Sequence, residues 1–104
     1  MNLDHYNITK TKLKIVLKGG TMNKDRKTYL DIYSNPIKSS IKWKDIEHLF
    51  IALGANITEG KGSRVGVELN GERAVFHRPH PENTTDKGAV KSVRKFLENA
   101  GVKL

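Results

Sequence analysis

Asn70-Gly71 constrains this chain more than any other pair of residues in it. Both residues tolerate the positive φ required at the centre of a type I′ turn, whose twist matches that of two paired strands. The flanking residues alternate as strands do. Val65, Val67 and Leu69 precede the turn on one face; Ala74 and Phe76 follow it on one face, with Arg73, Val75 and His77 on the other. The pattern predicts antiparallel strands over 64–69 and 72–77. Upstream, Gly60-Lys61-Gly62-Ser63 reads as a second turn and residues 55–59 as a third strand, which completes a three-stranded meander.

On either side of this meander the period changes to that of a helix. Ile46, Leu49, Phe50 and Leu53 stand at i, i+3, i+4 and i+7, with Ser39 or Ser40 as the expected cap and Gly54 as the stop. Trp43, a lone indole beside this stripe, is expected in the core. Val90, Val93 and Leu97 define a last helix over 87–100, capped by Thr85 or Asp86 and ended by Gly101. A shorter helix is expected around Tyr29, Leu30 and Tyr33, closing before Pro36. The fold class is therefore α+β, an α-β-β-β-α arrangement in which two helices cover one face of a three-stranded antiparallel sheet.

The first 21 residues differ from the rest and read as a leader or a misplaced start. Met22 follows Lys18-Gly19-Gly20, whose codons can encode a purine-rich ribosome-binding sequence, so a single domain over 22–104 is expected. At 104 residues the chain holds one small domain. It has no cysteine, which excludes disulfide staples, thiolate metal sites and cysteine nucleophiles. Its longest apolar run, residues 49–53, is far short of the roughly 20 residues that span a bilayer.

Charge points to a polyanion. Lys and Arg number 19 against 11 Asp and Glu, for a net of +8. Residues 60–95 hold eight basic and four acidic side chains, so half the net charge lies in about a third of the chain. Lys61, Ser63, Arg64, Arg73, Arg78, Lys87 and Lys91 are the expected phosphate contacts, joined by Arg94 and Lys95 on the last helix. Lys87 and Lys91, four apart, share a helical face. A solvated basic surface that meets only an acidic protein is the blander alternative.

Proton chemistry falls to histidine, whose ordinary pKa near 6.5 suits a group that takes and returns a proton near neutrality. His77 and His80 are the candidate catalytic residues. As a metal pair they lack an evident third ligand apart from Glu82 or Asp86, so no metal and no cofactor are expected. His48 is expected on a solvated helix face, and His5 lies in the leader.

From Trp43 to Val102 the chain resembles the HicA family of toxin-antitoxin systems. The resemblance rests on Leu53-Gly54, on Gly60-Lys61-Gly62-Ser63, and on Lys87-Gly88 leading into Val90-Lys91-Ser92-Val93, in that order and spacing. It implies a fold like that of double-stranded-RNA-binding domains, a messenger-RNA interferase activity, a HicB antitoxin partner and a cytoplasmic location. The chain departs from the family at one position. Arg64 stands where the family's catalytic histidine usually follows Gly-Ser, and an arginine binds phosphate but accepts no proton near neutrality. Two readings follow: a ribonuclease whose proton chemistry lies at His77 or His80, or a catalytically silent module that binds RNA or antitoxin.

Overall fold

A computed structural model describes residues 15–16 and 23–103. In chain order the elements are β1 (Ile15–Val16), α1 (Asn23–Ile32), α2 (Trp43–Ala52), β2 (Asn56–Glu59), β3 (Arg64–Leu69), β4 (Glu72–His77), α3 (Lys87–Asn99) and β5 (Val102–Lys103). The rest of the expected leader, and Met22, lie outside the described residues. Ile15–Val16 pairs in parallel with Val102–Lys103.

The meander forms in the expected register. Asn56 to Glu59 pair with Glu68 to Val65, and Arg64 to Leu69 pair with His77 to Glu72, both antiparallel. Asn70 and Gly71 adopt φ of 52° and 84°, the left-handed geometry of the turn inferred from them. Val65, Val67, Leu69 and Phe76 are buried on the inner face, while Arg64, Arg73, Val75 and His77 are exposed on the outer one.

Two helices cover the inner face. Trp43, Ile46, Leu49 and Phe50 of α2 and Val90, Val93, Phe96 and Leu97 of α3 are buried. The aromatic rings join the layers: Phe76 of β4 lies 5.8 Å from Phe50 and 5.9 Å from Phe96 between ring centroids, and 5.5 Å from Trp43. Trp43 is thus a core residue, as expected. Asp86 caps α3, its Oδ1 accepting from the Ala89 N-H at 2.8 Å. The serine cap expected for α2 does not form. Its N-cap is Lys42, with no side-chain bond, because residues 41–43 run beside the loop before α3 and the Trp43 N-H donates to the Asn83 carbonyl instead.

The third helix, α1, packs on α2 and α3 from outside. Its inward face is Asp25, Thr28, Tyr29 and Ile32, all buried. Leu30, expected beside the tyrosines, is 51% exposed, since the 25-28-29-32 register turns it to solvent. Tyr29 and Tyr33 do pack together, at 4.8 Å between rings. The open C-terminal carbonyls of α1 are met by Arg94 of α3, whose guanidinium donates to the Ile32 and Ser34 carbonyls and lies 5.7 Å over the Tyr33 ring.

Candidate active site

The β2-β3 turn and the end of β4 come together at one corner of the outer sheet face. Gly62 holds φ of 61°, which favours glycine, and a Cβ on Gly60 would sit 3.1 Å from the Arg64 Cβ. The turn therefore closes tightly on Arg64, with the Gly60 N-H donating to the Arg64 carbonyl at 2.9 Å. Arg64 and His77 are direct partners across the β3-β4 ladder. Thr58, Gly66 and Val75 complete the floor of a depression of about 530 Å³ around them. Gly66 leaves this floor low, and Val75, 64% exposed, gives it an apolar patch.

A second network fixes this corner. Arg78, next after His77, accepts no role as a loose surface cation: it donates through Nε and Nη2 to both Glu47 oxygens at 2.6 and 3.0 Å, and through Nη1 and Nη2 to both Glu59 oxygens at 2.6 and 2.8 Å. Four of its five N-H donors are thereby used. Its own backbone N-H donates to the Ser63 carbonyl at 2.9 Å, and the Trp43 indole N-H donates to Glu47. The two carboxylates push the Arg78 pKa further up, and the guanidinium holds the Glu59 carboxyl below its ordinary range. One side chain thus ties α2, the end of β2 and the turn to the last residue of β4.

The expected site residues separate into groups. Lys61, Ser63, Arg64 and His77 gather at the turn, all exposed, and His77 has no side-chain partner among the described residues. His80 is exposed in the loop beyond β4 and is not part of the depression. Arg73 stands four residues along β4 from His77, about 13 Å away at the usual strand rise, with Glu68 at 3.6 Å. Lys87 and Lys91 are exposed on α3, whose other side packs against the inner sheet face. Arg94 is committed to the end of α1. Sequence reasoning missed the roles of Glu47 and Glu59. A glutamate in mid-helix and another at a strand end, 31 and 19 residues from the arginine, are too common a pattern to reveal a clamp.

His48 is exposed on α2, as expected, and its Nδ1 lies 2.7 Å from the buried Asp25 carboxylate, which fastens α1 to α2. Among the described residues no group of three or more His, Asp or Glu side chains is placed to hold a metal ion.

The family model for the HicA toxin of bacterial toxin-antitoxin systems matches residues 43–102, from the first residue of α2 to the first of β5. That span is more than half of the chain. The chain belongs to the HicA toxin family. No curated protein matches it, and no solved structure matches it. Membership places this HicA-family chain in a toxin-antitoxin system and gives it the helix, meander and helix of a fold like that of double-stranded-RNA-binding domains. It also leaves α1 and the connection to α2 outside the matched region. No helix among the described residues is long and apolar enough to cross a membrane.

Proposed function

We propose that this HicA-family chain is a cytoplasmic toxin that binds messenger RNA and cleaves it without a metal ion, and that a HicB-like antitoxin neutralises it. The observation that carries this reading is the pairing of His77 with Arg64 across the β3-β4 ladder, in a depression open to a polymer. His77 takes the proton of an RNA 2′-hydroxyl. The freed 2′-oxygen attacks the adjacent phosphorus, and Arg64 stabilises the charge that gathers on the pentacoordinate phosphorane. The bond to the 5′-oxygen then breaks, and that oxygen leaves with a proton delivered by His80 from the neighbouring loop or returned by His77. The products are a 2′,3′-cyclic phosphate and a 5′-hydroxyl. Lys61 and the Ser63 hydroxyl grip the phosphate at the turn. Arg73, Lys87 and Lys91 contact the strand further from the scissile bond. Arg78 acts as a positioning residue, holding the turn and His77 in register.

Arg64 itself supports the second reading, in which the chain is a catalytically silent RNA- or antitoxin-binding module. A labelled messenger RNA incubated with the protein in EDTA separates the two. The ribonuclease reading predicts cyclic-phosphate ends from the parent, with His77→Ala slower by about 10²-fold or more. Binding without cleavage would establish the silent module.

A further inference from the structure

The connection from α1 to α2 makes a basic depression that lies largely outside the family-matched region. Lys24 and Lys27 of α1, Lys38 of the connection and Lys42 at the foot of α2 surround a depression of about 360 Å³, together with Asp31 and Asp45. Four lysines against two aspartates leave a net of +2. Asp31 holds two ammonium groups at once, Lys27 at 2.9 Å and Lys38 at 2.8 Å, and Asp45 holds Lys24 at 3.2 Å. Lys42 is exposed and has no carboxylate partner among the described residues. These are exposed pairs, each of small net worth. An ammonium has three donors, so a phosphate oxygen can be added without displacing the aspartate. The two aspartates thus gather the lysines rather than cancel them.

This depression is stitched to the loop between β4 and α3. Lys42 forms a β-bridge with Thr84, the Thr85 N-H donates to the Ile41 carbonyl at 2.8 Å, and the Trp43 N-H donates to the Asn83 carbonyl at 2.9 Å. Lys42 therefore stands beside the loop that runs from His80 to Lys87. We propose that Lys24, Lys27, Lys38 and Lys42 form an accessory phosphate-binding surface that extends the RNA contact beyond the family's own domain. The proposal rests on the RNA reading above. Lysine point charges without an aromatic anchor fit a phosphate backbone better than a protein interface, whose core is depleted in lysine.

The test is the salt dependence of binding to a labelled RNA duplex of about 16 base pairs and to its single strand. The chain carries His77→Ala and His80→Ala as a common background, so that the probe stays intact. Adding Lys27→Gln and Lys42→Gln together should lower the slope of log affinity against log salt by about 1 to 2. A control at Lys103→Gln, an exposed residue of β5, should leave the slope unchanged. Thermal melting confirms that each variant remains folded. If the Lys27→Gln/Lys42→Gln slope stays at the background value, the accessory surface is overturned and the turn-centred site stands. If the background protein binds neither RNA, both fall. Competition by polyglutamate that is lost in the double variant, with an unchanged RNA slope, would reassign the surface to an acidic protein and overturn the proposal.

Discussion

Arg64 and His77 stand side by side on the outer face of the sheet, yet they divide the chemistry unequally. In the proposed mechanism the guanidinium supplies a permanent charge and the imidazole accepts the proton, so their substitutions should separate. Arg64→Ala should slow RNA cleavage and weaken binding together, whereas His77→Ala should slow cleavage by about 10²-fold or more while RNA affinity changes little. Single-turnover cleavage beside a binding titration reads both. A different residue tests packing. The Thr85 hydroxyl is fully buried and finds no hydrogen-bond partner among the described residues. Thr85→Val keeps the shape and removes the unmet donor, so it should stabilise the fold by about 1 kcal/mol, seen as a higher urea midpoint. At this scale much of the site was legible in the sequence: the turn glycines and the alternation of β3 and β4 place Arg64 and His77 together. The fate of Arg78 and Arg94 was not, because Glu47, Glu59 and the end of α1 come from distant parts of the chain.

At the scale of elements, α1 tests how a peripheral helix is held. Arg94 reaches its C-terminal carbonyls and His48 reaches Asp25 near its start. Arg94→Lys keeps the charge but loses the planar fork, and should cost about 1.5–3 kcal/mol in urea unfolding. The aspartate in the last turn of α1 gives a pH signature. Lys38 foremost, then Lys27, hold the Asp31 carboxyl below its ordinary value of 3.8. A carboxyl depressed in the folded state contributes stability that is fully present above the unfolded value and is lost as pH falls through the folded one. The urea midpoint of the parent should therefore fall below about pH 4 more steeply than that of Asp31→Asn. The meander and both sheet-covering helices follow from period and turn chemistry alone. The face of α1 did not, since Asp25 and Thr28 are buried through partners on α2 and its own backbone, and polar residues give no apolar stripe to count.

At the scale of the molecule, two basic regions flank the loop between β4 and α3, one at the β2-β3 turn and the other where α1 meets α2. The family match supplies the first and the connection before it the second. On the proposed reading, the chain is a small RNA-binding unit with its proton chemistry at one corner and added phosphate contacts beyond it. The most direct measurement of this account is incubation of the parent protein with labelled messenger RNA in EDTA, beside His77→Ala and the His77→Ala/His80→Ala double variant. The account predicts cleavage by the parent to 2′,3′-cyclic phosphate ends, slower cleavage by the single variant and none by the double. Cleavage that persists in the double variant, or RNA bound by the parent and left intact, would contradict it.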